Sequence, residues 1–98
     1  MTKITSAQRK TLKGLAHHID PVVQLGKNGL TSELIETINK SLDDHELIKL
    51  KFIDFKDEKK ELAAEIEKKT KSVNVSNIGN ISIYYRQQKN PEKRKIKV

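Results

Sequence analysis

Four residues, Gly26-Lys27-Asn28-Gly29, carry the clearest chemical pattern in this chain of 98. They stand between an apolar run, Val22-Val23-Gln24-Leu25, and a helix-like pattern that begins near Thr31. Glycines at such a junction let backbone N–H groups approach an anion, and the positive end of the following helix adds to the attraction. The pattern is not a P-loop: Lys27 precedes the second glycine, and no hydroxyl residue follows in register. It also lacks the third glycine of a dinucleotide fingerprint. What remains is Gly-x-x-Gly at a helix start. KH domains use that spacing to clamp the backbone of single-stranded nucleic acid, although there the loop joins two helices. The competing interpretation is a tight turn whose glycines only supply positive φ, with Lys27 and Asn28 as solvated tip residues.

Other groups could extend a phosphate-binding surface. Ser6, Lys10, Lys13 and His17 gather on one side of a first helix at about 100° per residue. Lys49 and Lys51 alternate with Ile48, Leu50 and Phe52 and so share one face of a strand. Each set is equally what an exposed surface needs. Only Arg9, Arg86 and Arg94 of the 20 basic residues are arginine. Lysine is a point charge suited to phosphate, whereas bidentate reading of bases favours arginine, so a nucleic-acid partner should be recognised by shape and backbone.

Catalytic patterns are weak. His17, His18 and His45 have no metal-ligand spacing, and the adjacent pair must point in different directions on a helix. Asp43, Asp44 and Glu46 cluster where a helix ends, a common place for solvated acids. No serine lies in a nucleophile-elbow context, and the absence of cysteine removes disulfides, thiolate metal sites and cysteine nucleophiles. We therefore expect no enzymatic activity, no metal, no cofactor and no small-molecule substrate.

The net charge of +7 is unevenly placed. Residues 1–29 hold Lys3, Arg9, Lys10, Lys13 and Lys27 against Asp20, and residues 86–98 hold six basic residues against Glu92. The middle of the chain is slightly acidic. Two basic ends suit a polyanionic partner. No apolar run is long enough to span a bilayer and the first residues lack a secretory apolar core, so the expectation is a cytoplasmic monomer with no membrane contact.

The elements that must position these residues follow from periodicity. A helix is expected from about Thr5 to His18, with the capping-box spacing Thr5-x-x-Gln8 and a buried stripe of Leu12, Leu15, Ala16 and Ile19. Asp20-Pro21 ends it. Residues 22–25 form a short buried strand. A second helix begins at the N-cap Thr31, with Leu30 and Ile35 at staple spacing and Leu34, Ile35, Ile38 and Leu42 inward, and it ends near Asp44 or His45. Residues 47–53 form a strand, 57–69 a helix burying Leu62, Ala63 and Ile66, and 72–77 and 81–86 a hairpin turning at Ile78-Gly79-Asn80. The order α-β-α-β-α-β-β implies a two-layer α/β domain on a four-stranded mixed sheet with one open face. With so few aromatic residues the core should be aliphatic. Residues 1–86 form the domain, and the basic residues 87–98 should be a flexible tail.

The blocks "LKGLAHHIDPVVQLGKNGLT", "HELIKLKF" and "IGNISIYYR", in that order, resemble the CRM domain, named for chloroplast RNA splicing and ribosome maturation, in its stand-alone YhbY-like bacterial form. The match takes in Leu12, Ala16, His17, Pro21, the loop with Leu30 and Thr31, His45 to Lys49, Gly79, and Tyr85-Arg86. The resemblance implies a fold similar to the C-terminal domain of translation initiation factor three. It implies RNA binding by Gly26, Lys27, Asn28 and Gly29, with Lys10, Lys13 and Arg86 assisting. It further implies association with ribosomal RNA in large-subunit precursors and a role in ribosome assembly. The alternative is a protein-interaction module that docks Lys49 and Lys51 on an acidic partner of the translation apparatus.

Overall fold

The computed structural model describes residues 3–98. Helix α1 spans Ser6–Ala16, strand β1 Val23–Leu25, helix α2 Ser32–His45, strand β2 Leu47–Phe52, helix α3 Lys59–Thr70, strand β3 Val73–Ile78 and strand β4 Ile81–Tyr85. Short 3-10 turns cover Lys56–Glu58 and Pro91–Lys93. The sheet order is β1-β2-β4-β3, with β1 and β2 parallel and both pairs involving β4 antiparallel. The expected mixed α/β architecture of three helices and four strands is therefore the observed one.

Local signals explain most boundaries. Both halves of the capping box form at α1: Gln8 N–H donates to Thr5 Oγ1 at 3.1 Å, and Thr5 N–H donates to Gln8 Oε1 at 2.8 Å. The helix stops at Ala16, ahead of the expected His18, because the N–H groups of His17, His18 and Ile19 turn to carbonyls three residues back. Thr31 caps α2 by accepting from Leu34 N–H at 3.1 Å. Glu46, in the left-handed region at φ 64°, ends α2 and turns the chain into β2. Gly79, at φ 59°, makes the hairpin turn.

Side chains from opposite sheet faces build two hydrophobic clusters. On one face Val23, Leu25, Ile48, Leu50, Phe52 and Tyr84 pack with Ile38 and Leu42 of α2 and Ile66 of α3. On the other, Leu47, Val75, Ile83 and Tyr85 pack under Leu12 and Ala16 of α1, with Ile96 and Val98 of the C-terminal segment beside them. The face expected to be open is thus partly covered, since α1 has to bury its own stripe somewhere. Leu15 does not belong to that stripe: it is 41% exposed, because the narrow contact of a single helix on a sheet buries only Leu12 and Ala16 fully. Nor is the core purely aliphatic, as Phe52, Tyr84 and Tyr85 are among its largest fully buried side chains.

The C-terminal segment also departs from expectation. Glu46, almost wholly buried, accepts from the backbone N–H of Gln88 at 2.9 Å, from that of Ile96 at 3.1 Å, and from that of Lys95. Residues 87–98 lie against the body as a strap. Polarity without periodicity suggests a flexible tail, whereas backbone donors of the segment reach a buried carboxylate at the end of α2, a partner more than 40 residues away in the chain.

Candidate nucleic-acid interface

β1 and α2 hold the Gly26 to Gly29 loop between them. Leu25 is fully buried on one side, and its carbonyl accepts from Ile53 N–H at 2.9 Å and Asp54 N–H at 3.2 Å. The loop closes as a single turn, Gly29 N–H donating to the Gly26 carbonyl at 3.0 Å, with Lys27 and Asn28 exposed at its tip. Thr31 N–H then donates to the Gly29 carbonyl at 3.2 Å before α2 begins, and Leu30 packs on the core. A short turn pinned at both ends is rigid, so the loop's amides and the start of α2 are oriented before any ligand arrives.

The two glycines differ. Gly29 has φ 72°, a conformation that side chains adopt at a cost. Gly26 has neither positive φ nor any atom within 4 Å of where a Cβ would stand. The fold does not need glycine there, and what the missing side chain leaves is open backbone beside Lys27. A shallow concavity runs from Gln24 past the loop to Thr31 and Thr37 of α2. Glu33 also lines it, in the first helical turn where the helix dipole favours an acid.

The basic residues sort into two classes. All three arginines are engaged within the protein. Arg9 donates from Nη1 to the carbonyls of Asn74 and Val75 on β3. Arg94 donates from Nε to the Gln88 carbonyl at 2.8 Å. Arg86 Nη1 donates to Asn39 Oδ1 and the Thr70 carbonyl, each at 2.7 Å, while Nη2 donates to the Asn39 carbonyl at 2.9 Å and Asp43 Oδ1 at 2.8 Å. By contrast Lys10, Lys13, Lys27, Lys49 and Lys51 have no hydrogen-bond or ion-pair partner among the described residues.

The expected site residues are brought together unequally. Gly26, Lys27, Asn28 and Gly29 are contiguous. Lys49 and Lys51 project from the sheet face that carries α1, out of phase with the buried Ile48, Leu50 and Phe52, and Lys51 pairs in register with Gln24 just before the loop. Lys10 and Lys13 are exposed on α1, over the same face. Arg86 stands apart. It follows the end of β4, which pairs with the start of β2, so the length of β2, roughly 17 Å at about 3.3 Å per residue, separates it from the loop. His17 and His45 are both exposed, and His45 lines an apolar depression with Leu15, Ile19, Val22 and Leu47, well away from the loop. Among the described residues no group of acids and histidines could hold a metal ion, and no helix is long and apolar enough to cross a membrane.

One neighbour of the loop was not anticipated. A Cβ built on Gly29 would lie 3.5 Å from Cε2 and 3.6 Å from Cζ of Phe55, whose ring therefore rests against the loop. Its position in the sequence held a signal: Phe55 is out of phase with the inward residues Ile48, Leu50 and Phe52, so alternation continued past β2 puts it outside.

Comparison with known proteins gives a consistent picture. The family profile described as the CRS1 / YhbY (CRM) domain matches residues 4–86. An "RNA-binding protein" of Haemophilus influenzae is 45% identical over 87 residues, covering 88% of each chain. A "Probable RNA-binding protein" of Pseudomonas aeruginosa is 34% identical over 91 residues, covering 92% of this chain and 88% of the relative. The solution structure of a hypothetical protein from Staphylococcus aureus superimposes with a TM-score of 0.79 at 36% identity, covering 97% of this chain and 100% of the other.

Proposed function

Because the chain belongs to the CRS1 / YhbY (CRM) domain family, we propose that it is an RNA-binding protein that grips the RNA backbone at the Gly26 to Gly29 loop. The observation that carries this reading is Gly26: its lack of a side chain serves neither conformation nor packing, yet it keeps the backbone open next to an unpaired lysine. Lys27 and the loop amides meet one phosphate. Lys51, Lys49, Lys13 and Lys10 continue the positive surface over the face that carries α1.

The division between engaged arginines and unpaired lysines supports recognition of backbone and shape. Point charges follow phosphates without reading bases, while Arg86, tied to α2 and α3, acts as a strut and not as a contact. The RNA would be ribosomal RNA in precursors of the large ribosomal subunit, and the role non-catalytic assistance in assembly. That part rests on the resemblance of the stand-alone domain to its family.

Binding to labelled RNA, measured across a salt series, tests the reading. Log affinity should fall steeply with log salt, and Lys27→Glu should weaken binding to many RNAs alike, about tenfold at low salt, with a shallower salt slope. If Lys27→Glu combined with Lys13→Glu leaves RNA affinity unchanged while both variants stay folded, the loop is not the site. Docking on an acidic protein predicts a different result, with Lys49→Glu and Lys51→Glu abolishing capture of that protein and RNA affinity already negligible. Co-sedimentation with ribosomal particles, followed by crosslinking, tests the assembly role; absence from every precursor fraction would overturn it.

A further inference from the structure

Phe55 has three features that its surroundings do not jointly require. It is a large apolar residue that remains 41% exposed, at the end of a segment whose other aromatic, Phe52, is fully buried. It adopts φ 57°, the left-handed region that bulky side chains avoid. It also lays the distal Cε2–Cζ edge of its ring against Gly29, so the ring leans on the loop while part of its surface stays open to solvent. Hydrogen bonds fix that placement: the backbone N–H groups of Ile53 and Asp54 donate to the Leu25 carbonyl, and the Phe55 carbonyl accepts from Glu58 N–H at 3.0 Å.

The chemistry around the ring selects its ligand. Phe55 shares a shallow depression with the exposed Ile53 and with Asp54, Lys56, Asp57 and Glu58. A phosphodiester placed there would meet three carboxylates against a single ammonium, so the backbone of a polyanion is excluded. A nucleobase is flat, uncharged and has a π-face, which is what an exposed phenyl ring beside an aliphatic side chain accommodates. Its exocyclic amino groups can also donate to carboxylates at the rim.

We propose that Phe55 is a stacking platform for an unpaired nucleobase of single-stranded RNA whose sugar-phosphate backbone is held at the Gly26 to Gly29 loop. This rests on the RNA reading of the loop and deepens it. The loop supplies sequence-independent hold on a phosphate, and Phe55 adds a requirement that the base next to it be unpaired and free to stack. The site then discriminates single-stranded from duplex RNA without an arginine that reads bases.

The test compares the wild-type chain with Phe55→Leu and Phe55→Trp by fluorescence anisotropy. The probes are a short single-stranded oligoribonucleotide, the same oligomer with one abasic residue moved along it, and a duplex of the same sequence. Leucine keeps an apolar contact for Gly29 but has no π-face. Phe55→Leu should lose roughly tenfold in affinity for the single strand, leave duplex binding and the salt slope unchanged, and Phe55→Trp should retain wild-type affinity or exceed it. One abasic position should cost the wild-type chain a similar factor and cost Phe55→Leu nothing further. Equal affinities for wild type and Phe55→Leu, or an equal loss in Phe55→Trp, overturn the stacking role and leave the loop reading intact. If Phe55→Leu does not fold, the wild-type abasic series and Phe55→Trp decide the matter. A wild-type chain that binds no RNA overturns both readings together.

Discussion

Gly26 and Gly29 differ in what the fold asks of them, because only Gly29 has a positive φ and a neighbouring side chain. Alanine at Gly29 must take up φ 72°. Gly29→Ala should therefore lose about 1 kcal/mol of stability through backbone strain, read from urea unfolding. Alanine at Gly26 meets open space and an ordinary backbone, so Gly26→Ala should change stability by no more than about 0.5 kcal/mol. On the proposed reading its methyl group should nevertheless weaken RNA binding, because a phosphate would approach the backbone there. If Gly26→Ala binds RNA like the wild type, the open backbone at that residue has no part in the site. The loop was plain in the sequence because glycine and lysine are informative types. Which of its glycines serves the fold was not, since that depends on φ and on neighbours far along the chain.

Arg86 is engaged at the scale of whole elements. Its guanidinium bridges α2, through Asn39 and Asp43, to the end of α3, through the Thr70 carbonyl, at the far end of the sheet from the loop. The ion pair with the mostly exposed Asp43 adds little, whereas the bonds to Asn39 and Thr70 satisfy groups that are only partly accessible to water. Arg86→Ala should lower stability by about 2 kcal/mol, measured by chemical denaturation, and leave the RNA affinity of the folded protein within about twofold. A large fall in affinity at unchanged stability would return Arg86 to the interface. Periodicity and turn residues located the three α-helices and four strands, with ends displaced by up to two residues. They could not show that three arginines at Arg9, Arg86 and Arg94 are consumed by backbone carbonyls. Those carbonyls belong to residues distant in sequence, except for the Gln88 partner of Arg94.

On the scale of the whole molecule, α1 and the C-terminal strap cover part of the second sheet face, and Glu46 holds the strap. Removing residues 88–98 takes Ile96 and Val98 away from that cluster and strips the Glu46 carboxylate of its three backbone donors. The truncated chain should be less stable by roughly 2–4 kcal/mol, read from its denaturant midpoint; an unchanged midpoint would mean that the strap is not part of the fold. Burial also raises the phenol pKa of Tyr84, with the Glu67 carboxylate adding to the effect and a bond from Ser82 opposing it. Burial, and then the Glu46 carboxylate, raises that of Tyr85, against a smaller opposing effect of Arg94. Both folded-state values lie above the unfolded one, so this stability is fully present below the ordinary tyrosine pKa of 10.0 and is lost as pH rises beyond it. Tyrosinate absorbance of the folded chain should therefore appear at higher pH than that of the chain unfolded in urea, and coincident titrations would contradict that burial.

The order of elements, the inward residues of α2 and α3, the capping box at Thr5, the cap at Thr31 and the Gly26 to Gly29 loop follow from the sequence alone, because each depends on residues a few positions apart. Tertiary structure decided the rest: the partial cover over the second sheet face, the strap on Glu46, the bonds from Arg86 to α2 and the end of α3, and the seat of Phe55 against Gly29. Each of those joins residues far apart in the chain, and a one-dimensional pattern records the type of a side chain but not the partner that uses it.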